Sequence, residues 1–227
     1  MPSLTQLLAS HGRLLVLDAA SQRVQVGLLQ PGAPAIWHGS MSEAGLGLFS
    51  GAAAVLKCAG LGLPDIGAFV FCEGPGSMLG IRTVAMALRT WLVLQPRPVY
   101  AYQSLALAGQ FAWSRNRGKS FSVLADARRD TWHVQSVGAD GRMPPLQRVP
   151  AAGLPAGELL TPENFRAWAQ PTRPVATSSY DLAGVFPAIA NGEFFHAVDA
   201  PDAFQHEAPE YRKWSAHIHR APTNVRV

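Results

Sequence analysis

The stretch from Ile66 to Gln95, IGAFVFCEGPGSMLGIRTVAMALRTWLVLQ, limits the fold more than any other. Its first part is a short unbroken apolar run, which marks a strand in the middle of a sheet covered on both faces. Pro64 and Asp65 restart the chain just before it. The run breaks at Gly74-Pro75-Gly76, and Ser77 stands where a hydroxyl can cap a helix. The helix expected over residues 78 to 94 is apolar on nearly every side and is ended by Pro96 and Pro98. A rod of that kind must be buried all round. One face can pack on the parent sheet, and the remainder needs another layer or another protein. Arg82 and Arg89 share one face of it as a polar stripe.

The flanking sequence supplies the sheet. RLLVLDAAS, from Arg13, reads as a buried strand, RVQVGLLQ alternates as a half-buried strand does, and PAIWHG is a third; together they form an antiparallel meander. A helix is expected after Ser42 and Glu43, then the strand and helix above, then a strand at PVYAY and a helix at QSLALAGQFAW. This β-β-β-α-β-α-β-α order is that of an RNase H-like unit with a mixed sheet. The second half repeats it in trimmed form. KSFSVLADARRDTWHVQSVG gives two strands joined near Asp126 to Asp130, GRMPPLQRVP an irregular third, TPENFRAWAQ a short helix with Thr161 as cap and Pro162 at its first position, and PVATSS a strand. The expected architecture is therefore α/β with two related lobes, residues 1–102 and a reduced lobe over residues 103–227.

Composition excludes several classes. With 48% apolar and 15% charged residues the chain is too hydrophobic for disorder, and no apolar run is long enough to span a membrane. The formal net charge of +4 is compatible with nucleic acid, but the arginines are scattered, Arg115, Arg117, Lys119, Arg128 and Arg129 included. The opening MPSLTQLLASHGR lacks the basic start and apolar core of a secretion signal, so a cytoplasmic location is expected. Cys58 and Cys72 lie in apolar surroundings and read as core thiols, and His217 and His219 in the basic tail lack a third ligand, so no metal site is expected.

Two places could carry chemistry. Gly74-Pro75-Gly76-Ser77 could hold an anion on backbone amides, or could simply be a rigid turn that lets strand and helix pack closely. It is not a phosphate-binding P-loop, because no lysine occurs between Lys57 and Lys119 and Glu73 would repel phosphate. Asp18, with Ser21, ends the first strand where two-lobed phosphotransferases hold a magnesium-bound nucleotide, although Ala19 and Ala20 remove the donors such a loop wants. Asp126 and Arg128 could form a site or pin a hairpin turn by an ion pair. No nucleophile-elbow triad is present, and no complete active site.

Five segments, LLVLDAAS, FCEGPGSMLGIRTVAMAL, VYAYQSLALAG, VLADARRDTWHV and PEYRK, resemble in this order the bacterial TsaB (YeaZ) proteins. The likeness is strongest at Gly74, Pro75, Gly76, Ser77, Gly80, Ile81 and Arg82, and is joined by Pro209, Glu210, Tyr211 and Arg212 near the end. It implies an actin-like ASKHA fold and a part in making threonylcarbamoyladenosine at position 37 of tRNA. It implies a non-catalytic pseudoenzyme that pairs through first-lobe helices with a TsaD-like catalytic subunit, is joined by a TsaE-like ATPase, meets tRNA through the complex and pairs with itself when alone. The interface it implies is Gly74, Pro75, Gly76, Ser77, Met78, Gly80, Ile81, Arg82, Ala85 and Arg89. No cofactor is expected on this chain, with ATP and magnesium only in the assembled complex, and the older peptidase label finds no support in these residues. Glu73, Met78, Leu79, Ala19, Ala20 and Thr131 depart from the family pattern, and the charge reversal at Glu73 is expected to be matched by a change in the partner. The alternative is an ATP-binding phosphotransferase or ATPase of the same fold, with Asp18 at the nucleotide.

Overall fold

The structure, a computed structural model, is described for residues 1–205. The tail histidines His217 and His219 and the Pro209, Glu210, Tyr211 and Arg212 segment lie outside the described residues. Its first element, α1 (Leu4–His11), was not expected from the sequence. It carries a capping box in which the Gln6 N–H donates to Ser3 Oγ and the Ser3 N–H to the Gln6 side chain, and it buries Leu4 and Leu7.

The first sheet is built as the meander predicts, from β1 (Leu14–Asp18), β2 (Val24–Leu29) and β3 (Ile36–Ser40), and extended by β4 (Ala68–Gly74) and β5 (Val99–Gln103). β1 runs parallel to β4 and β4 to β5, while β2 and β3 are antiparallel, which makes the sheet mixed. β2 departs from the half-buried reading: all six residues are buried, Gln25 included, because its amide finds partners inside the protein. Helices α2 (Ala44–Ala59) and α3 (Met78–Leu94) cover one face, and α1 and α4 (Ser104–Arg115) the other.

The second sheet has β6 (Phe121–Asp126) at its centre, with β7 (Thr131–Val137) and β8 (Gln147–Pro150) antiparallel on one side and β9 (Glu158–Pro162) and β10 (Ala176–Ser178) parallel on the other. The helix expected at TPENFRAWAQ is not formed. Thr161 and Pro162 instead end β9, whose Leu159 and Leu160 pair beside Ser122 and Val123 and are buried. Burying two adjacent leucines between the sheet faces outweighs the local cap signal, and Pro162 sits at a strand end, where a missing N–H is tolerated. α5 (Leu182–Ala188) follows, and β11 (His196–Ala197) then returns to the first sheet as an antiparallel neighbour of β5. α4 lies between the sheets, touching β4 and β5 on one side and β6 and β7 on the other. Cys72 is a core thiol as expected, whereas Cys58 is exposed on α2, since its helical position falls on the outer face.

Candidate functional site

Ser77 caps α3 as the sequence predicts, its hydroxyl accepting from the Gly80 N–H at 3.4 Å. The turn before it is packed against the β1–β2 loop so tightly that a Cβ on Gly76 would lie 2.3 Å from the Ala20 carbonyl oxygen. A Cβ on Gly80 would lie 2.1 Å from that of Ala19. Both positions therefore need glycine for the close approach. The Ser77 N–H donates to the Ala20 carbonyl at 2.7 Å, and Ser104 Oγ donates to the Pro75 carbonyl at 2.5 Å. Of the two readings of the turn, this geometry is that of the rigid packing device, because the amide an anion would use at Ser77 already has a backbone acceptor.

The ten residues expected at an interface divide into two sets. Gly74, Pro75, Gly80, Ile81 and Ala85 are buried within the protein, Ile81 at 1% exposure, whereas Ser77, Met78, Arg82 and Arg89 reach the surface and Gly76 lies between. The helix is not buried all round. Its outer face exposes Leu79 at 73%, Met86 at 57% and Val93 at 84%, seven residues apart, with Leu94 beside them. α2 adds the exposed Leu46 and Phe49, the latter edge-on to Trp91 of α3 at 6.0 Å between ring centroids. Periodicity carried this signal, since Leu79, Met86 and Val93 repeat at the heptad spacing that keeps residues on one helix face. The family motif drew attention instead to its inward-facing neighbours. Arg89 is held at the edge of this face by Asp202 at 3.1 Å, and its Nε donates to the Pro201 carbonyl.

Glu73, the charge reversal, turns inward along its own chain. His196 Nε2 of β11 lies 3.2 Å from one carboxylate oxygen, Gln103 Nε2 donates to the other, and the Phe204 N–H donates to the Glu73 carbonyl. These contacts hold the Glu73 side chain against β5 and β11.

Asp18 and Ser21 are not brought together into an open pocket. Asp18 is fully buried: Tyr102 and Tyr180 donate their hydroxyls to Oδ2 at 2.6 and 2.8 Å, and the Ala20 N–H donates to Oδ1 at 2.8 Å. Burial raises its pKa above the ordinary carboxyl value, and the hydrogen bonds from Tyr102, Ala20 and Tyr180 oppose that rise only in part. Burial likewise pushes up the Cys72 thiol beside it. Ser21 Oγ donates to the Arg23 carbonyl and accepts from the Arg23 N–H, closing a local turn. Asp18 has no exposed surface and Ser21 almost none.

In the second lobe, Asp126 pins the hairpin, though not by an ion pair. Its carboxylate accepts from the N–H groups of Arg128, Trp168 and Ala169, while the Arg128 guanidinium lies 4.2 Å above the Trp168 ring. Partial burial works to raise the Asp126 pKa, but these backbone donors together with Arg128 outweigh it and hold the carboxyl below its ordinary value. Among the described residues no group of three metal-ligating side chains converges. No helix among them is long and apolar enough to cross a membrane.

No family model matches the chain, and no curated protein matches it. Two solved structures share its fold. One is YeaZ from Pseudomonas aeruginosa, 23% identical over 79% of this chain and 90% of that one, with a TM-score of 0.61. The other, described as an uncharacterized protein with similarity to the peptidase YeaZ from Pseudomonas aeruginosa, is also 23% identical, covers 88% of this chain and 99% of that one, and gives 0.63. The fold is therefore α/β with two mixed-sheet lobes, shared with these two structures.

Proposed function

We propose that this chain is a TsaB-type scaffold subunit that docks a larger, TsaD-like catalytic subunit through the outer face of α3 and the adjoining edge of α2. It works in the complex that places threonylcarbamoyl on adenosine 37 of tRNA. The observation that carries the reading is the exposed stripe Leu79, Met86 and Val93 flanked by Leu46 and Phe49. Side chains of this size each gain roughly 1.5–3 kcal/mol when moved from water into an apolar contact, so a stripe of five offers a strong incentive for a protein partner. The ordered sequence motifs and the shared fold support the choice of complex, and the closed surroundings of Asp18 favour a scaffold over the phosphotransferase alternative. On this reading the chain itself holds no cofactor, a TsaE-like ATPase joins the assembly, tRNA is met through the complex, and the same face pairs two copies when the partner is missing.

The test is complementation. Deleting the gene is expected to abolish the modified nucleoside in bulk tRNA, the wild-type chain to restore it, and a folded Met86→Asp variant to fail. Ile81→Asp and Ala85→Asp are unsuitable probes, since both positions are buried and report folding. Full restoration by Met86→Asp would count against the docking face.

A further inference from the structure

The loop between β1 and β2 is held from both sides. Toward the second lobe, Gln25 Nε2 donates to the Tyr180 carbonyl and Gln25 Oε1 accepts from the Leu182 N–H, each at 2.9 Å. The Gln22 N–H donates to the Asn164 carbonyl at 2.8 Å, and Arg23 meets Asp181 at 3.1 Å. Toward α3, the loop gives its Ala19 and Ala20 carbonyls to the close approach of Gly80 and Gly76 and to the Ser77 N–H. The two sides meet at Asp18. Tyr180, whose ring stands edge-on to Phe165 at 5.1 Å, donates its hydroxyl to Asp18 Oδ2; Asp18 Oδ1 accepts from the Ala20 N–H; and the carbonyl of that same Ala20 accepts from Ser77. Three hydrogen bonds thus run without a gap from the second lobe to the first turn of α3. The two at Asp18 lie in buried surroundings, where a hydrogen bond is strengthened by low dielectric and each member is costly to leave unpaired, while the third reaches the surface at Ser77.

We propose that residues 19–25 couple the lobes, with Tyr180 and Asp18 as positioning residues that fix the first turn of α3 from the second lobe. For its functional consequence this rests on the reading of α3 as the docking face. The reduced second lobe then has work to do without any site of its own. It clamps the loop that sets where Ser77, Met78 and Leu79 stand, and so sets how the near end of the exposed stripe is presented. Coupling of this kind requires only a contiguous packed and hydrogen-bonded path, which these residues supply.

The experiment is residue-resolved amide hydrogen exchange on the full chain. Tyr180→Phe keeps the ring against Phe165 and removes only the hydroxyl; Asp18→Asn keeps the shape and exchanges one carboxyl oxygen for an amide donor. Either variant is expected to speed exchange at Ser77, Gly80 and Ile81 by about tenfold, leaving Val55 and Leu56 in α2 unchanged. Ser77→Pro, which suits the φ of −65° there and deletes the linking N–H, is expected to abolish the further effect of Tyr180→Phe. Ser77→Ala, which keeps that N–H, is expected to leave the effect intact. Exchange that rises uniformly, or only within residues 158–188, would overturn the coupling. Capture of the partner by the Met86→Asp variant at wild-type strength would instead overturn the docking reading while leaving the exchange result, and the coupling, standing.

Discussion

α3 and α4 begin alike and end differently. Each follows a parallel strand of the first sheet, each is mainly apolar, and each has a polar residue at its N-cap. α4 has a sheet on either side, so that Leu105, Leu107 and Ala108 are fully enclosed. α3 has a sheet on one side only, and Leu79, Met86 and Val93 are left in the solvent. An apolar helix therefore specifies that it will be covered without specifying by whom. For α4 the cover is the second lobe; for α3, on the proposed reading, it comes from another chain.

Substitutions separate the two helices, and the largest effect belongs to α4. Leu107→Ala, at a fully buried site, is expected to lower unfolding free energy by about 2–5 kcal/mol in urea titrations. A loss below about 1 kcal/mol would mean α4 is less enclosed than described. Gly76→Ala comes next. Its Cβ would strike the Ala20 carbonyl, so a loss of about 1–3 kcal/mol is expected, together with a displaced start of α3. An unchanged midpoint would show that the turn can relax away from the β1–β2 loop.

The buried Asp18 contributes a pH dependence. Its folded pKa is raised, so between the unfolded and folded values the folded protein binds a proton that the unfolded chain has released. Stability is then expected to fall as pH rises from the ordinary carboxyl value, about 3.9, through the raised one. Asp18→Asn should flatten that slope in denaturation series taken across the acid range. A slope that survives the substitution unaltered would assign it to another group. The smallest effect falls on the outer face of α3. Met86→Ser should change monomer stability by no more than about 0.5 kcal/mol, and a larger loss would mean the face is covered within the chain itself.

Much of this was legible in the residues. The first-lobe strands, the Ser77 cap and the two long helices follow from apolar runs, glycines and prolines that act locally. What escaped depended on distant contacts. Gln25 reads as the polar half of an alternating strand because its partners, the Tyr180 carbonyl and the Leu182 N–H, lie far along the chain. Thr161 and Pro162 imitate a helix start, and only the pairing of Leu159 and Leu160 beside β6 makes them a strand end. Asp18 was found by its position on β1, but the two tyrosines that enclose it come from β5 and from the second lobe. The capping box of α1, by contrast, is local to Ser3 and Gln6 and is legible in the sequence.

The docking face is tested most directly by tagging the wild-type and Met86→Asp chains in their own cells, identifying what co-purifies, and measuring the mass of each free protein by light scattering. The expected result is a larger actin-like-fold protein recovered at one-to-one with the wild type and lost with Met86→Asp, while the variant keeps wild-type stability. Equal recovery of that protein with both chains would contradict the assignment of the outer face of α3 as the surface that another chain covers.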